Sequence, residues 1–504
     1  MDNVNKTGAS VYKPKVYLLT LGCDKNRVDG EVMLGNLIAA GMASAAEAAE
    51  AEAIIVNTCG FISEATQESI DTILDMAEYK HTSKCRALVV VGCMSERYRE
   101  ETKAEIPEVD AVLGVKDTDT IVQVVSKLLD FTPQGIHDYN NRLWARKYTY
   151  IPHIAHVKIS DGCDNNCAYC TIPSIRGAYA SRSIEDILKE CENLVATGAR
   201  EIVLVAQDTA LYGLDLYGKP RLHELLIAIS DLFILDETAN CHLEEKDKSS
   251  HENIWIRLMY VHPEHITQEI INAIAMLPNV CKYIDMPIQH SETDVLKRMG
   301  RNISKEGLLE LIGKLRKEVP GIALRTTVMV GFPGETEEDF ARLAAFLDKV
   351  QFDRLGVFPY SQEQGTPAAL LPNQIEQEVK HTRLDTLMQL QQDIHHKKQQ
   401  VKVGHTTDVI IDKPENVSNF DSSEFSKHLA FNEQGVNFNF GYIGRTMHDA
   451  YEVDAVVKLT TNSPLLYNGG NVQPIKPGDI IKATITNVSG YDLIGVVSGN
   501  ESGK

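Results

Sequence analysis

The chain has 504 residues, too many for one domain at roughly 150 residues each, and its hydrophobic share of 43% is ample for packed cores. It carries 50 Lys/Arg against 70 Asp/Glu, a formal charge of −20, which repels a polyanion unless a local patch overrides the mean. No apolar run approaches the ~20 residues that cross a bilayer, and the first residues are polar, so a cytoplasmic location without membrane partners is expected. In that compartment the ten cysteines read as thiols, metal ligands or catalytic groups rather than disulfides.

From residue 14 to about 130, short β-rich runs (KVYLLTLGC, AEAIIVNTC, RALVVVGCM, DAVLGV) alternate with helical stretches, the first of them expected from Val28. This alternation predicts a doubly wound parallel sheet. The first three strands each end at a cysteine: Cys23, Cys59 and Cys93. Ligands in open α/β sheets sit beyond the carboxyl ends of the strands, so these thiols either converge in one crevice as a three-ligand cluster site or are three small buried hydrophobes. Gly22, Gly60 and Gly92 beside them suit loops better than core strands.

From 149 to 395 the alternation restarts with AHVKIS, EIVLVAQD, IWIRLMYV, KYIDMPIQ, GIALRTTVMVG and FDRLGVFPY, which predicts a partial (β/α)6 barrel with its active residues at the strand carboxyl ends. The loop DGCDNNCAYC follows the first of these strands and spaces Cys163, Cys167 and Cys170 as C-x-x-x-C-x-x-C. Three thiolates on one short loop can hold three irons of a [4Fe–4S] cubane and leave the fourth open to a non-protein ligand, the bland alternative being three incidental loop cysteines. A zinc site would want a further Cys or His pair nearby, and neither follows. Gln207 and Asp208 close the second strand, Tyr260 and His262 the third, Gln289 and His290 the fourth, and Gly331 opens GFPGET after the fifth. Together they form a polar rim; any one of them reads equally well as a solvated loop group. Cys85, Cys191, Cys241 and Cys281 fall elsewhere and read as ordinary thiols.

From 397 to 499, short alternating strands with Gly and Asn turns predict a small antiparallel, OB-like β-barrel. Residues 401–504 contain eight Lys/Arg and twelve Asp/Glu, which serves electrostatic capture of phosphates poorly and makes direct tRNA binding unexpected. Residues 233–253 and 413–435 are polar and aperiodic and read as surface insertions.

CDNNCAYC resembles the radical S-adenosylmethionine (SAM) signature. LGCDKNRVDGE, VNTCGFI and VGCM resemble the N-terminal domain of the methylthiotransferases, and MPIQH, VGFPGETEEDF and FDRLGVFPYSQEQGTPA resemble the RimO branch, the aspartate methylthiotransferases of small-subunit ribosomal protein twelve. The resemblance implies a methylthiotransferase N-terminal domain, a radical SAM core and a TRAM barrel. It implies one [4Fe–4S] cluster on Cys163, Cys167 and Cys170 that cleaves SAM to a 5′-deoxyadenosyl radical. A second cluster, on Cys23, Cys59 and Cys93, would carry the sulfur to be inserted. One SAM would methylate that sulfur and another would supply the radical that removes hydrogen from the aspartate β-carbon. SAM contacts are expected at Gln207, Asp208, Gln289 and Gly331, with no catalytic acid or base. A flavodoxin or ferredoxin reductant and a separate sulfur donor are the implied partners. The rivals are a tRNA methylthiotransferase acting on a modified adenosine beside the anticodon, and a non-enzymatic iron–sulfur carrier.

Overall fold

The computed structural model describes residues 12–133, 146–233, 254–415, 440–461, 465–468 and 471–498. Contacts divide the chain into two compact units, Met1–Thr149 with Cys170–Ala178, and Tyr150–Tyr169 with Tyr179–Lys504.

In the first unit, β1 (Lys15–Thr20), β2 (Ala43–Ser44), β3 (Ala53–Thr58), β4 (Ala87–Gly92) and β5 (Ala111–Val112) form a parallel sheet in the order β2-β1-β3-β4-β5. Side chains alternate across it. Ile55, Val89 and Val91 enter one core with Leu34, Leu37 and Val125. Ile54, Val56, Leu88 and Val90 enter the other with Ile73 and Ala77. Coverage on both faces is why AIIVNT and ALVVVG are buried along their whole length. The chain leaves β1 to one side for β2 and to the other for β3, so β1 and β3 flank the point where strand order reverses.

The helix after β1 runs Asp24–Ala39, starting four residues earlier than the expected Val28. Gly22 takes φ +82°, which turns the chain in one residue, and Cys23 becomes the extended N-cap position. Asp24 in the first turn complements the helix dipole.

In the second unit β6 (Ile154–Lys158) leads to a two-stranded ribbon of β7 (Ser160–Asp161) with β8 (Ala180–Ser181). β9 (Glu201–Val205) and β10 (Trp255–Leu258) complete a parallel sheet β10-β9-β6; β11 (Tyr283–Asp285), β12 (Ala323–Val330) and β13 (Arg354–Pro359) form a second, β11-β12-β13. A parallel bridge between Ile256 and Val280 joins the two sheets. The six expected strands are therefore all present, as two ribbons continuous through that bridge.

A closed barrel follows from β14 (Thr406–Glu415), β15 (Phe440–Arg445) and β16 (Val457–Thr461), a hairpin of β17 (Leu465–Asn468) with β18 (Asn471–Pro474), then β19 (Ile480–Ser489) and β20 (Asp492–Val497), closing in the order β14-β15-β16-β20-β19. It is antiparallel except that β16 pairs with β20 in parallel. β14 extends through Glu415, so Lys413–Glu415 belong to the barrel and not to an insertion; 416–435 and 234–253 lie outside the described residues. Pairing with β15 as far as Glu415 supplies the hydrogen bonds that carry those polar residues into the strand.

The barrel packs beneath the amino ends of the six strands. Ile410 and Ala450 join Ile154, Val203, Trp255, Tyr283 and Ala323 in one core. A buried ion network crosses the same seam. Arg445 donates to Glu201 at 2.7 Å and to Asp412 at 2.8 Å, Arg257 donates from Nε to Glu201, and His153 lies 3.0 Å from Asp412. Burial opposes the Glu201 charge, yet Arg257 and Arg445 hold its carboxyl down to about 2. With one rim of the strands sealed in this way, the carboxyl rim is left for chemistry.

Candidate functional site

Cys59 and Cys93 follow β3 and β4 directly, and Cys23 stands three residues after the end of β1. Buried amides and hydroxyls lace these strand ends together. Asn26 donates to Leu21 O at 2.8 Å and Thr58 O at 3.2 Å; Asn57 donates back to Asn26 O at 2.8 Å. Thr58 Oγ1 donates to Val91 O at 2.6 Å, tying β3 to β4. Ser69 Oγ donates to Cys59 O at 2.8 Å and accepts from its amide at 3.1 Å. The turns fit no larger residue. A Cβ on Gly22 would meet Cys59 Sγ at 2.8 Å, and one on Gly92, at φ +101°, would meet Thr58 O at 2.5 Å.

The thiols sense one another. Burial, chiefly, and the neighbouring Cys23 raise the Cys59 thiol; burial pushes Cys93 up to about 11, against the pull of Arg176 and with Cys23 and Cys59 adding to the rise. Among the described residues, the group of three whose ligand atoms lie within 4.8 Å of one another is Asp208, His262 and His265. Cys23, Cys59 and Cys93 supply three soft thiols, a donor set that suits an iron–sulfur cuboid.

In the second unit Cys163 and Cys167 lie on the loop beyond β7. Here the supports are charged. Lys158 Nζ meets Asp161 Oδ2 at 2.7 Å, and Gln207 donates to Asp161 Oδ1 at 3.1 Å. Asp208 accepts from Asn165 at 3.0 Å and stands 2.6 Å from His265 Nδ1. Burial works against the Asp208 charge, but His265, His262 and Asn165 hold it below the ordinary range. Gly300, at φ +76°, lets the chain pass Asn166 so closely that a Cβ would stand 2.4 Å from its carbonyl. Cys163 is raised by burial and by the charges of Asp208 and Cys167. Cys170 opens the short segment 170–178 that belongs with the first unit, and its sulfur accepts from the Ile172 amide at 3.5 Å.

The rim expectations divide. Gln207 and Asp208 are loop tethers, as just described. Gln289 sits at φ +66°, its amide donating to Thr327 O at 2.9 Å and its carbonyl accepting from Met329 at 2.7 Å. Tyr260, at the end of β10, is also left-handed at φ +59°. Non-glycine residues held in that region store strain of order 1–3 kcal/mol and cluster at functional sites. Gly331, at φ +73°, is approached by Lys380, which a Cβ would meet at 2.3 Å; its amide donates to Glu335.

Several residues escaped sequence reasoning: His265, Asn26, Asn57, Arg176 and Glu335. Burial raises Glu335 to about 7 against the pull of Arg383, and pushes His290, 4.0 Å away, down to about 4. Only the spacing of His262 and His265 after β10 offered a signal, and it names no partner.

Three family models match the chain: "Uncharacterized protein family UPF0004" over 15–114, "Radical SAM superfamily" over 157–347, and "TRAM domain" over 433–497. A protein of Desulforamulus reducens named "Ribosomal protein uS12 methylthiotransferase RimO" is 42% identical over 492 residues, covering 96% of this chain and 99% of its own length. The chain belongs to the RimO family. Family members of the same name from Clostridium botulinum (strain Hall) and Clostridioides difficile are 43% and 42% identical, each over 96% of this chain and 98% of its own length. The radical SAM methyltransferase TsrM from Kitasatospora setae, with cobalamin and a [4Fe–4S] cluster bound, shares the fold at TM-score 0.51 and 13% identity, covering 71% of this chain and 74% of its own. As a RimO-family member the chain is a radical SAM methylthiotransferase, and SAM and a [4Fe–4S] cluster come with that family. Among the described residues no helix is long and apolar enough to cross a membrane.

Proposed function

We propose that the chain replaces a β-hydrogen of an aspartate in ribosomal protein uS12 with a methylthio group, using two SAM molecules and two [4Fe–4S] clusters. Cys163, Cys167 and Cys170 hold the radical-generating cluster; Cys23, Cys59 and Cys93 hold the auxiliary one. The single observation that carries this reading is the pair of separate three-thiol sets, Cys23, Cys59 and Cys93 after the parallel strands β1, β3 and β4, and Cys163, Cys167 and Cys170 between β7 and the helix Ile172–Arg176. Breaking an unactivated C–H bond is beyond acid–base side chains, so the bound clusters and SAM supply the radical and the sulfur.

The chain's own residues hold and orient. Asp208, kept charged by His265, grips Asn165 and fixes the cysteine loop; Gln207 does the same through Asp161. Gln289 and Gly331, both held at positive φ, form with Gln207 and Asp208 the SAM contacts of this proposal. Segments 14–130, 149–395 and 397–499 serve as auxiliary-cluster, radical and TRAM domains. The reaction is cytoplasmic, with a flavodoxin or ferredoxin as reductant and a separate sulfur donor. The acidic balance of the C-terminal segment and the names of the relatives both weigh against tRNA as substrate.

The test is the intact mass of uS12 from cells with and without the gene, alongside nucleoside analysis of their tRNA. One methylthio group gained on uS12, with tRNA unchanged, is expected. A change confined to tRNA would overturn the substrate assignment.

A further inference from the structure

The helix Ile172–Arg176 follows Cys170 directly in the chain. Its last residue, Arg176, is 1% exposed at the side chain, pairs through Nη1 with Asp29 at 3.0 Å, and points Nη2 at Cys93 Sγ, 3.5 Å away. An arginine is costly to bury and is held here by an aspartate on one side and a sulfur on the other. Seven consecutive residues thus carry both Cys170 and the donor to Cys93. We infer that Arg176 is a positioning residue for the auxiliary cluster: by donating to the Cys93 sulfur and placing a cation beside it, the residue raises the cluster's reduction potential, and Asp29 sets how much of that charge is felt.

The inference rests on the reading of Cys93 as a cluster ligand. A reduced cluster carries one more negative charge than the oxidised cluster. A buried cation and a hydrogen bond to sulfur therefore favour reduction. Asp29 partly neutralises the guanidinium, so removing it should act in the opposite sense to removing Arg176.

The experiment uses the full chain with Cys163, Cys167 and Cys170 replaced by Ala, so that only the auxiliary cluster is loaded. It is titrated with a redox dye series under electron paramagnetic resonance, with iron and sulfide content measured alongside. Arg176→Met should lower the ratio of reduced to oxidised cluster at fixed potential by about tenfold, equivalent to about 59 mV for a one-electron couple. Arg176→Lys should restore part of it, and Asp29→Asn should shift it upward. General damage to the site would move Arg176→Met and Asp29→Asn the same way. Shifts of one sign, or an unmoved potential in Arg176→Lys and Arg176→Met with iron retained, would overturn the role of Arg176 alone. A parent chain that binds no iron would overturn the auxiliary-cluster reading with it.

Discussion

The two thiol sites solve the same placement problem with opposite materials. Around Cys23, Cys59 and Cys93 the loops are stitched mainly by neutral groups, Asn26, Asn57, Thr58 and Ser69, joined by two cations, Arg97 on Gly60 O at 2.7 Å and Arg176 against a sulfur. Around Cys163 and Cys167 the supports are Lys158–Asp161 and Asp208–His265, and the same unit is bolted to its barrel by Glu201, Arg257, Arg445 and Asp412. Neutral ties cost little to desolvate and do not depend on a charge state. Ionic ties fix geometry strongly but only while each partner keeps its charge.

The sharpest way to break the comparison is to empty each site in turn. Cys167→Ala should abolish SAM cleavage, measured as 5′-deoxyadenosine release under a strong reductant. Cys59→Ala should retain cleavage and lose sulfur transfer to uS12. Thiolation surviving in Cys59→Ala would show that the sites do not divide the work.

Next in size is the ionic seam. Glu201→Gln leaves Arg257 and Arg445 buried with one carboxylate fewer, and should destabilise the second unit by roughly 3–5 kcal/mol. Urea unfolding followed at the barrel would register it. A loss under about 1 kcal/mol would mean the seam is held by its apolar core of Ile410, Trp255 and Tyr283.

On the neutral side, Asn57→Ala removes the side-chain donor to the Asn26 carbonyl and should cost about 0.5–1.5 kcal/mol. On the proposed assignment, the loss should fall on iron bound at Cys23, Cys59 and Cys93, with SAM cleavage unchanged. Equal loss of iron from both sites would erase the distinction between them.

The ionic side should also respond to pH. The Glu201 carboxyl is held at about 2, below the ~4.3 of an unfolded chain. A group depressed on folding contributes fully above its unfolded value and loses that contribution as pH falls toward the folded one. Protection of β9 and β14 against hydrogen exchange should therefore decline between pH ~4.3 and about 2, while β3 and β4, whose strands carry no charged residue, hold theirs. Parallel decline in both units would contradict the ionic–neutral contrast.

By itself the sequence determined the elements and the supply of candidate thiols. Six β-rich runs with helical spacers, three strand-end cysteines and one C-x-x-x-C-x-x-C loop are local patterns, and local pattern fixes strand period, turn residues and thiol supply. Even the misplaced helix start was a matter of one glycine: Gly22 turns the chain so tightly that the helix begins at Asp24. Only the tertiary structure decided which groups meet. Asn26 and Asn57, Asp208 and His265, and Arg176 and Cys93 are separated by 31, 57 and 83 positions. Glu201 and Arg445 are 244 apart. Nothing in an EIVLV strand announces that its first residue will be a buried anion, because burial of that charge depends on an arginine that the barrel, folded from the far end of the chain, brings to it.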